Sequence, residues 1–161
     1  MKNADAITLR PFIPSDINAV NDVFTQAVRI RTAPHYSDEQ RRAWAPDRHD
    51  KSARIAKCLR CATRLAVIET RVVGFVSAEA NGHIDMLYVR PEHTKKGVGG
   101  ILLAWAEDYA AGEGAQRFFA EVSITARPFF EKKGFFAVKE QKVELNGVIF
   151  INYEMIKRMD R

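Results

Sequence analysis

The residues with the most chemical promise lie in one continuous run. Leu87-Tyr88-Val89 is an apolar strand end, and Arg90-Pro91-Glu92-His93 is a proline-broken turn. Thr94-Lys95-Lys96-Gly97-Val98-Gly99-Gly100 is a basic, glycine-containing loop that opens the apolar helical stretch beginning Ile101-Leu102-Leu103. The first turn of a helix holds backbone N–H groups with no intrahelical acceptor and carries partial positive charge, so it attracts an anion. Gly97, Gly99 and Gly100 let the backbone approach a phosphate without side-chain obstruction, and Lys95 and Lys96 add charge at the same place. The spacing fits neither common nucleotide loop. No Gly-Lys-Ser/Thr follows four residues after a glycine, and Leu102 stands where a dinucleotide fingerprint needs its third glycine.

Such a loop needs a strand before it and a helix after it, and the rest of the chain supplies a frame for both. Ile7 to Phe12 alternates at period two and predicts a first strand. Pro14-Ser15-Asp16 turns the chain into a helix with apolar positions from Ile17 to Val28. Ser37 with Gln40 forms a capping box for a short helix that reaches Trp44, and Pro46 stops it. A further helix spans about His49 to Cys61. Leu65 to Ile68 and Val72 to Ala78 read as a hairpin, and His83 to Val89 as the fourth strand. The long helix runs from Gly97 to Ala111 and ends at Gly112 and Gly114. Phe118 to Ile124 is a fifth strand and Ala126 to Lys133 a short helix. Phe135 to Glu140 and Val148 to Met155 are strands about the turn dipeptide Asn146-Gly147. This order predicts an α/β (α+β mixed) fold: one mixed sheet of six or seven strands with helices on both faces.

Composition sets the outer limits. The chain has 161 residues, 47% hydrophobic and 28% charged, as expected of one ordinary globular domain over 1–161. No run of roughly 18 apolar residues is present, so no membrane partner is expected. Met1 to Ala6 lacks the apolar stretch of a signal peptide. Cys58 and Cys61 are too few for a disulfide framework, which points to a reducing, cytoplasmic setting. Their CxxC spacing has no second pair and no spaced histidines, so no metal is expected. The net charge of +5 invites a nucleic-acid partner, but no nucleic-acid-binding motif supports one. Arg41-Arg42 and Lys132-Lys133 read as solvated helix faces.

Two segments carry a resemblance over essentially the whole chain. Thr94-Lys95-Lys96-Gly97-Val98-Gly99 is similar to the pyrophosphate loop of the GCN5-related N-acetyltransferase (GNAT) superfamily, Arg/Gln-x-x-Gly-x-Gly/Ala. Ala126-Arg127-Pro128-Phe129-Phe130-Glu131-Lys132-Lys133-Gly134-Phe135 resembles the family's short helix ending in Gly-Phe. The spacing between them and the pattern from Leu9-Arg10 to Asp16 also match, and within the family the chain resembles the YafP-type branch. Thr94 stands where Arg or Gln is usual.

The resemblance implies acetyl-CoA as cofactor, with CoA as product, and direct transfer of the acetyl group to a small-molecule or peptide amine by a monomer or homodimer. It implies a coenzyme arm between splayed fourth and fifth strands against Leu87, Tyr88 and Val89. A strand N–H there would polarise the thioester carbonyl. The phosphates would lie on Thr94, Lys95, Lys96, Gly97, Val98, Gly99 and Gly100, with Thr125, Phe129 and Phe130 completing the coenzyme site. Asp85, nearest the expected thioester, ranks first as base. His83 follows, with an ordinary pKa near 6.5, and Glu121 is third. The tyrosine that protonates the leaving thiolate in many relatives is replaced by Phe130. That leaves Tyr88, Ser123 or Tyr153 as the acid, unassisted departure, or a non-catalytic acyl-CoA sensor. Tyr36 and Trp44, which follow the first helix, are expected to wall the acceptor site.

Overall fold

The computed structural model describes residues 6–159. Most of the segment inspected for a targeting signal, Met1–Asp5, lies outside the described residues. Among the described residues, seven strands form two antiparallel sheets. The first has the order β1 (Ile7–Pro11), β2 (Ala62–Ile68), β3 (Arg71–Ala78), β4 (Ile84–Val89). The second has the order β5 (Arg117–Ser123), β7 (Val148–Arg158), β6 (Phe136–Leu145). A parallel bridge between His83 and Phe119 links the two at one end of β4 and β5. Beyond it these strands part, so two strand edges face each other across a gap. The expected α/β fold and the splay are both present, but the single mixed sheet expected is split into two antiparallel ones, because β4 and β5 meet in parallel only at that one bridge.

Helices cover both faces. α1 (Ile17–Gln26) and α3 (Lys51–Arg60) bury Val20, Val23, Phe24 and Cys58 against Leu65, Phe75 and Met86. On the other face α4 (Val98–Gly112) buries Val98, Leu102, Leu103 and Ala106 against Val73, Val76 and Val122. Leu65, Phe75 and Leu102 have no exposed surface. Each such side chain contributes about 1.5–3 kcal/mol by leaving water. Two short helices, α2 (Asp38–Trp44) and α5 (Arg127–Lys132), lie beside the gap.

Local chemistry sets the details that matter for the site. In the capping box, the Gln40 N–H donates to Ser37 Oγ at 3.1 Å and the Ser37 N–H to Gln40 Oε1 at 2.8 Å. Arg10 forks onto both Asp16 oxygens at 2.8 Å, and this contact holds the Asp16 carboxyl below its usual range. Arg90, buried just after β4, donates to the Val72 carbonyl and to Asp22 of α1, fixing where the loop begins. α1 continues as a π-helical turn over Ala27–Arg31, an irregularity that redirects its last side chains toward the gap.

Two features at the closed end of the gap depart from simple alternation. Ala78 pairs with Ile84 and Ser77 with Met86, so Asp85 is the extra residue of a β-bulge. The bulge sends Ile84 into the α4-side core and Met86 into the α1-side core, and breaks the common face expected for His83, Asp85 and Leu87. Gly82 has φ +101° and accepts the Phe119 N–H at 3.0 Å. A Cβ there would lie 2.0 Å from the Arg117 carbonyl oxygen, so only glycine lets the turn meet β5. The last two strands run to Leu145 and Arg158, beyond the predicted ends, because exposed charges over Lys139–Glu144 mask an edge strand.

Candidate active site

A cleft of about 820 Å³ fills the gap between β4 and β5 and continues over the start of α4. Leu87, Tyr88 and Val89 form one wall, and Ala120, Val122 and Ser123 form the other. The floor of its far end is the basic loop. Lys95 has φ +61° and Gly97 φ +85°, so two left-handed residues swing the chain into α4. Gly97 is the N-cap and offers no side-chain acceptor to the helix. Nothing lies within 4 Å of where its Cβ would be, so the position needs glycine for its backbone angle alone. The N–H groups at this helix start therefore remain available to a ligand.

Thr94, Lys95, Gly97, Gly99 and Gly100 line the cleft, as do Thr125, Phe129 and Phe130. Val98 is buried in the α4 core, and neither it nor Lys96 lines the cleft. Thr94 Oγ1 donates to the Pro91 carbonyl at 2.9 Å and closes the turn. Thr125 Oγ1 pairs with His35 Nδ1 at 2.8 Å. Phe130 is 5% exposed and meets Phe129 and Phe135 edge to face. Phe130, at the position for which the resemblance implies a tyrosine acid, is thus part of an aromatic core.

Arg31, Thr32, His93, Lys132 and Lys133 also line the cleft, without any motif in the sequence that marks them. Lys132 and Lys133 are therefore not simply a solvated helix face. Lys133 Nζ comes within 3.0 Å of where a Gly100 Cβ would stand, directly over the α4 start. A cation at the positive end of a helix is unfavourable without a counterion, so this end is built for an anion. The only signal in sequence was the adjacency of Lys132-Lys133 to Phe129-Phe130.

The other end of the cleft is acidic. His83, which does not itself line the cleft, lies between two carboxylates, with Nδ1 2.6 Å from Glu79 and Nε2 2.7 Å from the cleft-lining Glu121, and its ring stacks on Phe119. Glu121 and then Glu79, acting against partial burial, push the imidazole up to about 9. The same contact holds Glu121 below its ordinary range. His83 is therefore an imidazolium at neutral pH, in contrast to the ordinary value assumed from sequence. Asp85 lines the cleft but its Oδ2 is 3.1 Å from Lys57 Nζ. Tyr153 does not line the cleft; its ring lies under Arg127 and its hydroxyl 3.5 Å from Glu140. Tyr88 reaches the cleft, but burial pushes its hydroxyl up to about 12. Ser123 Oγ accepts the Ala126 N–H at 3.0 Å, which leaves its own hydrogen free.

A second, smaller pocket of about 170 Å³ opens beside the cleft. Trp44, Tyr88, Glu121 and Ser123 line both spaces and form the junction. Tyr36, Val143, Leu145, Phe150 and Asn152 complete the smaller one. Tyr36 and Trp44 do come together, ring centroids 5.6 Å apart, and Phe150 faces both. The Tyr36 hydroxyl donates to the Ile151 carbonyl at 2.7 Å and accepts the Ile124 N–H at 2.9 Å, pinning β5 and β7 at the open end of the splay. Its burial raises its pKa.

The comparisons with known proteins agree with this geometry. The family model described as an acetyltransferase (GNAT) domain matches residues 32–157. The chain is 36% identical over 149 residues to the uncharacterized N-acetyltransferase YafP of Escherichia coli (strain K12), covering 92% of this chain and 94% of that protein. Its fold superposes with TM-score 0.93 on the crystal structure of a GCN5-related N-acetyltransferase from Rhodopseudomonas palustris. That match has 32% identity and covers 99% of each chain. A PaiA N-acetyltransferase from Thermoplasma acidophilum, solved in complex with coenzyme A, shares the fold at TM-score 0.79 and 20% identity, covering 96% of this chain and 99% of that one.

Proposed function

Because this chain belongs to the GNAT acetyltransferase family and is an acyltransferase that uses acetyl-CoA, we propose that it moves the acetyl group to an amine held in the smaller pocket, at the junction formed by Trp44, Tyr88, Glu121 and Ser123. The observation that carries this reading is the junction itself: one carboxylate, Glu121, borders both the coenzyme cleft and the amine pocket. The uncapped α4 start with Lys95 and Lys133, and the open edges of β4 and β5, fit an anionic coenzyme with an amide-bearing arm. Bound there, acetyl-CoA supplies an activated acetyl group as a thioester.

The chain's own residues position and deprotonate the acceptor. β4 is paired to β3 along one edge, so N–H groups on its other edge are free to polarise a carbonyl in the cleft. Glu121 attracts an incoming ammonium. Glu79 holds the His83 Nδ1 proton, which aims Nε2 at Glu121. In the neutral form of His83, the Nε2 lone pair faces a carboxylate at 2.7 Å and takes up a proton readily. At neutral pH His83 is mostly imidazolium, so one amine proton passes by Glu121 to His83 Nε2 in the neutral fraction that grows as pH approaches 9, and the second goes to the departing thiolate. Asp85, paired with Lys57, is left to position the bulge. Ser123 is placed to hydrogen-bond a leaving sulfur, and a thiol pKa near 8.5 makes unprotonated departure feasible.

Thiol release from acetyl-CoA in the presence of an amine panel tests the activity. Glu121→Gln is expected to lower kcat about 100-fold or more while leaving the acetyl-CoA Kd unchanged. A variant with wild-type kcat removes Glu121 from the mechanism.

A further inference from the structure

We infer that the acceptor is a small cationic amine on an apolar, ring-sized body, with no acidic group beside the amine; this rests on the transferase reading above. The smaller pocket has the surface such a molecule needs. Tyr36, Trp44 and Phe150 present ring faces and edges to one another at 5.6–6.1 Å, and Val143 and Leu145 extend the apolar wall. Both hydrogen-bonding directions of the Tyr36 hydroxyl are already used by backbone, so this side chain offers the ligand its ring. Asn152 Oδ1 likewise accepts from Gln141 Nε2 at 3.1 Å. Aromatic faces bind flat apolar groups and cations alike.

Charge narrows the class further. Among the described residues, Glu121 is the one carboxylate lining this pocket, and no lysine, arginine or histidine lines it. An ammonium finds a partner there. The His83 imidazolium sits between Glu79 and Glu121, two carboxylates against one cation, so a carboxylate or phosphate next to the amine meets excess negative charge in a partly desolvated site. The outer side argues for a small molecule over a peptide chain. Asn146 Nδ2 donates to the Ala43 carbonyl at 2.7 Å and Gln40 Nε2 to the Ile149 carbonyl at 3.0 Å. These two bonds tie the β6–β7 hairpin to α2 across the end of the pocket, where an extended chain would have to pass.

The test compares 2-phenylethylamine with phenylalanine, which differs by the carboxylate, and with spermidine and a short peptide bearing a free N-terminus. Thiol release should give a kcat/KM for 2-phenylethylamine about 100-fold or more above that of phenylalanine and of the peptide. Trp44→Ala should raise the KM for 2-phenylethylamine about 10-fold, with Trp44→Phe within about threefold of wild type because a ring is kept. Equal or better turnover of phenylalanine, spermidine or the peptide overturns the assignment and leaves the transferase intact. If no amine releases thiol although acetyl-CoA binds, it is the transferase reading that fails. The acceptor class is then decided by quenching of tryptophan fluorescence in the CoA complex. Saturable quenching by 2-phenylethylamine that phenylalanine does not give supports the class, and its absence overturns it.

Discussion

The two ends of the active-site cleft are built from different materials. The proposed coenzyme end is mostly backbone: one left-handed turn at Lys95–Gly97, an uncapped helix start and two open strand edges, with lysines added around them. The proposed acceptor end is mostly side chain: Tyr36 before α2, Trp44 from its end, Tyr88 and Glu121 from the two edges, and Val143, Leu145 and Phe150 from a hairpin. Backbone recognition depends on local geometry and so tolerates many side chains. Side-chain recognition depends on which residues the fold happens to bring together. The first kind suits a ligand shared across a family, and the second suits one that differs from member to member.

Substitutions should separate these ends cleanly. The largest effect belongs to the junction, where Glu121→Gln removes the shared carboxylate and lowers kcat by about two orders of magnitude without weakening coenzyme binding. Next is the backbone turn. Gly97→Val forces a β-branched residue to φ +85°, a strain of about 1–2 kcal/mol. It should weaken acetyl-CoA binding about 5–30-fold in a calorimetric titration and leave the acceptor KM alone. Gly97→Asn, which visits left-handed geometry more readily, should be milder. Lys133→Ala should weaken the coenzyme only about threefold to fivefold, and raising salt should narrow the gap to wild type. Equal effects of these variants on both substrates would erase the distinction between the two ends.

The smallest effect is on stability. The folded-state pKa of His83, about 9, lies above its unfolded value, so the Glu79–His83–Glu121 contact stabilises fully below about pH 6.5 and is lost as pH rises through about 9. Because both carboxylates are about half exposed, the loss should be modest, a Tm decrease of about a few degrees between pH 7 and 9.5. Glu79→Gln should flatten that decline.

What could be read from sequence follows the same division. The coenzyme loop was legible because its glycines, lysines and proline are consecutive and their geometry is local. The Ser37–Gln40 capping box and the Asn146-Gly147 hairpin were legible for the same reason. The proton network was not. His83, Glu79 and Glu121 meet only because Gly82 brings a turn against β5, and the bulge at Asp85 turns that residue toward Lys57 of α3. Spacing along a strand predicts a face only while the alternation is unbroken. Lys133 and Arg31 reach the cleft through a helix end and a π-helical turn, neither of which leaves a pattern in the sequence.

The pH dependence of kcat/KM tests the central claim most directly, with wild type and His83→Gln compared on the same amine so that the acceptor's own titration is common to both. The pair Glu121–His83 should give a rate that rises with pH to a limb near 9, and His83→Gln should abolish that limb. A limb near 6.5, or one that persists unchanged in His83→Gln, would contradict the proposed proton path.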